Sequence, residues 1–556
     1  MESGCSCSFT DLSVRVAERF LQTVVIVDDQ AGYKGNQRNE QPKKVVVPSR
    51  STIKSATSEV KDKESKNVKI GNLLNTKQVI DSFASKGIVC SVLEPSNDKS
   101  EMFGGICEVA KRADVFIIDW QIHDDGQYTL EVISKIIMSD LEEGPGLRLI
   151  VVYTGENDLQ RIFSEIKQKA ENLSTNFKFD ENRLNLTLGH LRILLLAKEG
   201  LNFQKDERSI DSNYEFNVIS EEKLPERIIS EFAGMTEGLV SNVALASLAV
   251  LRRNTPLILS NLSQEIDPPY LAHRALLPNP DDAKNHAIDI ITSEFHSILE
   301  NYEVGENANF EAIEAWIKRE EQKGNSFELA INDSDIIELE ADNICEFEKC
   351  GIENSNWFET KVSKTKRGKF SKSGHKLLTK TLCVGSEDPV TLDYKFAMLT
   401  SLKNNYGLSK IKPILTLGTI VMDADRDPDT RSFWLCIQPR CDSVRLEDKR
   451  SFPFLQLKKV EGAGENFDLV IQNGEYIKLK INYEPYKSKL FEFEPINPDQ
   501  VIRANEKLIF KGKDRDFKWV SELKSEHALR VVHKFATNLS RIGLDESEWL
   551  RRWRGK

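Results

Sequence analysis

No stretch of this 556-residue chain stays apolar for the length that a bilayer-spanning helix needs. The opening stretch, MESGCSCSFTDLSVRVAERF, lacks the basic start and apolar core of a secretory leader. Both absences predict a soluble, cytoplasmic protein with no membrane partner. Cysteine is sparse: nine residues, an odd number, are scattered in the manner of reduced thiols rather than a disulfide framework. Histidine is scarcer, at eight, and His273, His286 and His296 have no paired ligand spacing, so they read as helix-face residues. Cys345, Cys350, His375 and Cys383 likewise lack the two tight ligand pairs of a zinc site. An excess of positive charge is missing too. With 76 Lys and Arg against 87 Asp and Glu, the formal net charge of -11 excludes a protein that coats nucleic acid or anionic membrane along its whole length. Only a local basic surface stays open.

What the chain does have is apolar runs that end on polar residues, within a length that predicts about three to four domains. TVVIVDD closes on Asp28 and Asp29, DVFIIDW carries Asp119, LRLIVVYTG carries Thr154 and RILLLAKEG carries Lys198. Continuous Val, Ile and Leu read as strands buried on both faces, the pattern of a parallel sheet covered by helices. Such sheets take ligands outside the carboxyl ends of their strands, so these four ends can converge. Segments of helical spacing lie between them: Asp11 to Gln22, IGNLLNTKQVIDSFASKG ending at Gly87, EMFGGICEVAKRA, YTLEVISKIIMSDL and DLQRIFSEIKQKAENL. IVCSVLEP adds a strand and FKFDENRLNLTLGH a hairpin. With right-handed crossovers, this alternation predicts an α/β doubly wound parallel sheet. Residues from about 31 to 67, rich in Lys, Ser, Asn and Gln, read as a flexible insertion beside the acidic pair.

In this order the residues resemble the receiver domain of two-component response regulators, over roughly 11–237. That family has an acidic pair after its first strand, an acceptor aspartate after its third, Thr or Ser after its fourth and Lys after its fifth. The stretch DWQIHDDGQ around Asp119 is similar to its phosphorylation loop. The resemblance implies a flavodoxin-like receiver fold in a phosphorelay, with Asp119 phosphorylated by a sensor histidine kinase or phosphotransfer protein. It implies Mg²⁺ held by Asp29 and Asp119 directly, by Asp28 through water and by the backbone carbonyl of Gln121. Thr154 would bond the phosphoryl oxygens and Lys198 would pair with them. The chemistry is coherent, because Mg²⁺ prefers oxygen ligands and a carboxylate nucleophile at phosphorus needs its charge offset. Such a receiver catalyses its own phosphoryl transfer without being a stand-alone enzyme. The sequence departs from the family pattern at three points. Glu199 follows Lys198 where Pro is usual, His123 stands where Pro is common, and the leucine run ending at Leu196 replaces the aromatic switch residue.

Helical spacing continues through 238–324, read as a connector or output-coupling domain, where LASLAVL and PLILSNL are apolar enough for core or for a subunit contact in a homodimer. Residues 325–410 read as a mixed charged linker or subdomain, with acidic DSDIIELEADNICEFE followed by basic KVSKTKRGKFSKSGHKLLTK. In the basic run Lys364, Lys366, Arg367 and Lys369 are candidate nucleic-acid contacts, but a solvated face paired with the acidic stretch is the simpler account. Short runs from Ile411 to Phe510 make 411–556 a β-rich barrel or sandwich with C-terminal helices. There Cys436, Arg440, Cys441 and Asp442 are reactive types with no neighbouring His, and a buried strand cysteine is the plainer reading of Cys436. The whole resembles an atypical response regulator with a non-standard output, including ones encoded in bacterial anti-phage systems. Two alternatives stand beside it: a nucleic-acid-binding effector, and a non-phosphorylated pseudo-receiver scaffold that binds an effector protein.

Overall fold

The computed structural model describes residues 8–32, 74–95, 99–122, 126–143, 146–199, 212–277, 280–332, 334–383, 385, 388–404, 412–424, 431–462, 466–495 and 500–540. Most of the expected insertion, His123 and the Trp-bearing C-terminal end lie outside these residues. The chain divides into two compact units, Met1–Lys323 and Gly324–Lys556.

In the first unit α1 (Phe9–Phe20) leads into β1 (Thr23–Val27). A short parallel pairing of β2 (Ala31–Gly32) with β3 (Leu74–Asn75) precedes α2 (Thr76–Ser85) and β4 (Val89–Leu93). Then come α3 (Lys99–Arg112), β5 (Val115–Ile118), α4 (Gly126–Glu143), β6 (Arg148–Thr154) and α5 (Leu159–Leu173). A hairpin of β7 (Lys178–Asp180) and β8 (Asn185–Leu188) delivers the chain to β9 (Leu191–Lys198), and β10 (Val218–Ile219) follows. The helix read from Ile70 begins only at Thr76, because Asn75 caps it by accepting the Gln78 N–H. It ends where Gly87 takes a φ of 72°, as expected.

The sheet order is β4-β1-β5-β6-β9-β8-β7, with β10 also paired to β9. Its first five members are parallel and, in chain order, run 2-1-3-4-5, a doubly wound arrangement. Each strand feeds two cores by alternation. Val25, Val27, Phe116, Ile118, Ile150 and Val152 face one cluster with α3, α4 and α5. Val24, Ile26, Val115, Ile117, Val151 and Tyr153 face the other with α1, α2 and α6 (Leu224–Thr236). The helical stretch continues with α7 (Leu239–Arg253), α8 (Thr255–Asn261), α9 (Asp267–Leu276), α10 (Ala283–Asn301) and α11 (Phe310–Gln322). Leu245 and Ala246 of α7 belong to the second cluster, so packing against the sheet side continues past Glu237. Arg252 of α7 also reaches Asp114 at 2.9 Å, and Asp114 accepts the Gln22 and Thr23 backbone N–H groups at the start of β1.

The second unit opens with a hairpin of β11 (Phe327–Ala330) and β12 (Ile336–Leu339). Five helices follow: α12 (Ala341–Cys350), α13 (Asn356–Lys361), α14 (Lys364–Ser373), α15 (Leu378–Leu382) and α16 (Pro389–Ser401). The basic run is therefore ordered as α14, anchored by a fully buried Phe370 that meets Phe358. Beyond it come β13 (Thr419–Asp423), β14 (Phe433–Cys436), β15 (Arg450–Lys459), β16 (Leu469–Asn473), β17 (Glu475–Ile481), β18 (Lys489–Phe493), β19 (Ile509–Phe510) and β20 (Phe517–Glu522), then α17 (Ser525–Leu539). They form one eight-stranded sheet, β16-β17-β15-β14-β13-β20-β19 with β18 on β15, antiparallel throughout. β20 lies past the strand-rich stretch read from sequence, yet it pairs with β13 on one side and β19 on the other. Among the described residues no helix is long and apolar enough to cross a membrane.

Candidate functional site

Strand order turns back on itself between β1 and β5, since β1 connects onward to β4 on one side while β5 lies on the other. A crevice opens at such a switch beyond the carboxyl ends of the strands. Asp28 is the first residue after β1 and Asp119 the first after β5. Each is tied to the neighbouring strand end through its own backbone. The Asp28 N–H donates to the Leu93 carbonyl at 3.1 Å and the Asp119 N–H to the Val27 carbonyl at 2.9 Å.

Lys198, the last residue of β9, reaches between the two carboxylates. Its Nζ donates to Asp28 Oδ2 at 2.7 Å and to Asp119 Oδ1 at 3.0 Å. The remaining carboxylate oxygens are met by backbone, with Gln30 N–H donating to Asp28 Oδ1 and Gln121 N–H to Asp119 Oδ2, both at 2.8 Å. All three side chains are buried. Burial pushes the Asp119 carboxyl above the ordinary carboxylate range against the pull of the Lys198 ammonium, and the neighbouring Asp28 charge adds to the push. Burial also opposes the charge on Lys198, but Asp119 and Asp28 together hold it above the ordinary lysine value.

Thr154 ends β6 and is buried, in register with Ala197, one residue before Lys198. Its hydroxyl accepts the Glu156 N–H at 3.1 Å. Asp29 is half-buried beside Asp28. The Asp119 carbonyl accepts the buried Thr129 hydroxyl of α4 at 2.8 Å, which ties the turn after β5 to the next helix. Gly126 opens α4 beneath Trp120, where a Cβ would stand 2.5 Å from the indole, so the turn requires glycine.

Residues 20–202 match the family model described as a response receiver domain. This segment is a receiver domain. No curated protein and no solved structure matches the chain.

Sequence reading missed several parts of the receiver site. The Glu199 N–H donates to the Ile219 carbonyl at 3.1 Å as β10 runs beside β9, a bond proline could not make. That same carbonyl accepts the Tyr153 hydroxyl at 2.9 Å, and the Lys198 ammonium lies 5.7 Å from the Tyr153 ring centre. An aromatic ring thus stands beside Lys198 from β6, next to Thr154, although β9 itself carries none. The turn donors Gln30 and Gln121 carry no side-chain signal; only a reading of the turn after each aspartate would have found them.

The other singled-out residues lie in the second unit or away from the receiver site. On α14, Lys366 and Lys369 sit 3.6 and 3.5 Å from the two oxygens of Asp335, while Lys364 is exposed and Arg367 half-buried. Cys436 is buried in β14, and burial pushes its thiol up to about 12, whereas Arg440, Cys441 and Asp442 are exposed and Arg440 donates to Ser525 Oγ. Between α9 and α10 the rings of His273 and His286 lie 4.6 Å apart, a proximity their sequence spacing does not announce.

Proposed function

We propose that the chain is an atypical response regulator whose Asp119 accepts a phosphoryl group from a partner histidine kinase or phosphotransfer protein. The observation that supports this reading most is the buried Asp28, Lys198 and Asp119 cluster at the switch of the sheet, two carboxylates sharing one ammonium. In the transfer, an Asp119 carboxylate oxygen forms a bond to phosphorus as the donor's P–N bond breaks, and the departing imidazole takes up a proton. Lys198 is placed to shift from carboxylate to phosphoryl oxygen, and Thr154, at the adjacent strand end, to donate its hydroxyl.

The donor set suits Mg²⁺, since it is all oxygen and carries more negative than positive charge. Asp28, Asp29, Asp119 and the Gln121 carbonyl would hold the ion, which supplies positive charge against the phosphoryl oxygens. Conversion of Asp119 to its phosphorylated form adds charge beside Thr154 and Lys198, at the ends of β6 and β9, and changes what those ends can bind. We extend the reading, on resemblance alone, to bacterial anti-phage defence, where an Asp119→Asn strain would lose protection in a plating assay.

The deciding experiment is incubation with Mg²⁺ and acetyl phosphate, followed by intact mass measurement. One added phosphoryl group in the wild type and none in Asp119→Asn is the expected result. No addition to either protein would instead mark an inert receiver that serves as a scaffold.

A further inference from the structure

α9 has little to hold it in place. At 10 residues it is shorter than the roughly 12–15 at which an isolated helix becomes even marginal in water. None of its residues is buried, and no side chain caps its start. Arg274 in its last turn donates to the Pro280 carbonyl at 2.8 Å and to Asp281 at 2.9 Å, which ties α9 to the turn before α10. That ion pair is open to water, where such a pair contributes little.

At the same place each helix presents an imidazole. His273 stands half-buried just before Arg274, and His286 is exposed near the start of α10. Their ring centres lie 4.6 Å apart with the planes inclined at 47°. The contact alone does little for either ring, because two imidazolium ions repel and no hydrogen bond joins the two rings. A dication that accepts a lone pair from each ring converts the same closeness into a crosslink. The separation suits one ion. A ring nitrogen bound at about 2.0–2.1 Å puts the ring centre about 3.2 Å from the metal, so two imidazoles meeting at about 90–110° have centres about 4.5–5.2 Å apart. Imidazole is a ligand for Zn²⁺, Ni²⁺ and Cu²⁺, and not for Mg²⁺ or Ca²⁺, which take oxygen. Among the described residues no third His, Cys, Asp or Glu completes a group with the pair, so water would fill the remaining positions and the ion would exchange freely.

We propose that His273 and His286 together bind one divalent transition-metal ion of the Zn²⁺, Ni²⁺ and Cu²⁺ class, and that this ion clamps α9 to α10. Amide hydrogen exchange of the full chain, read peptide by peptide with and without Zn²⁺, tests it. The reading is local, so Zn²⁺ held elsewhere by thiols or carboxylates does not enter. Opening of α9 separates the two ligands, and Zn²⁺ at 100 times its Kd should therefore slow exchange of the α9 amides by up to about 100-fold. His273→Gln and His286→Gln should each abolish the slowing. Neither position is buried, so α9 in both variants should exchange as in the wild type when metal is absent, which shows that the fold is kept. Mg²⁺ at the same concentration should leave α9 unchanged. Wild-type α9 amides that ignore Zn²⁺ overturn the proposal, and so does slowing that survives either substitution or that Mg²⁺ reproduces.

Discussion

At the scale of single residues the receiver site depends on Lys198. Two buried carboxylates are compensated by one ammonium, and removing one partner of such a group leaves charge buried without an opposite. Lys198→Met should therefore destabilise the Mg²⁺-free protein by about 3–5 kcal/mol in urea unfolding, with much of that loss recovered when Asp28→Asn is added. An equal loss in the single and double variants would show that packing, not charge, is at stake. The pH dependence has a definite sign. Lys198 is held above the ordinary lysine value of 10.5, so its stabilisation is fully present below that value and disappears as pH climbs through the raised one. The wild type should lose stability along that alkaline limb, and Lys198→Met should lack this part of the loss. Asp119, raised by burial, contributes in the same direction at the acid end, favouring the fold below the ordinary carboxylate range and losing that contribution as pH rises through its raised value. The side chains of this cluster were legible because each ends a continuous apolar run. The backbone donors of Gln30 and Gln121 were not, since any residue type can supply an N–H there.

Elements explain why the chain departs from the receiver pattern after Lys198. β10 pairs with β9 at Ala197 and Lys198, and the Glu199 N–H continues the ladder to Ile219. Proline at this position would remove the donor and leave the Ile219 carbonyl with the Tyr153 hydroxyl. Glu199→Pro should cost about 1–3 kcal/mol, and Tyr153→Phe about 1 kcal/mol, both read from urea midpoints. If the two act through the one carbonyl, the double variant should cost more than the sum, since Ile219 then loses both donors. Additivity would mean that β10 is held elsewhere. The parallel strands and their helices could be read from sequence because both faces of each strand are apolar and the helices carry a 3.6-residue period. β10 could not, being two residues whose place is fixed only by the partner strand. β20 was missed for a related reason: FKWVSE alternates over too short a span between charged stretches, and its pairing with β13 is a long-range property.

For the whole molecule, charge decides between the signalling reading and a nucleic-acid effector. A net charge of -11 gives a long-range field that repels polyanions, so binding would have to come from a local basic face strong enough to overcome it. The best candidate, α14, is partly compensated already. Lys366 and Lys369 lie beside Asp335, whose carboxyl is held below its ordinary range first by the Asn332 amide and then by Lys366. The aromatic of the same run, Phe370, is buried against Phe358 and is not offered to a base. Fluorescence anisotropy with labelled single- and double-stranded DNA and RNA at low salt should therefore show no saturable binding by the full chain. Replacing Lys364, Lys366, Arg367 and Lys369 with Gln should leave that result unchanged. Binding that weakens with the logarithm of salt concentration and vanishes in the quadruple variant would mean that phosphate contacts on α14 outweigh the net field. The second unit would then have to be read as a nucleic-acid effector under the control of the receiver.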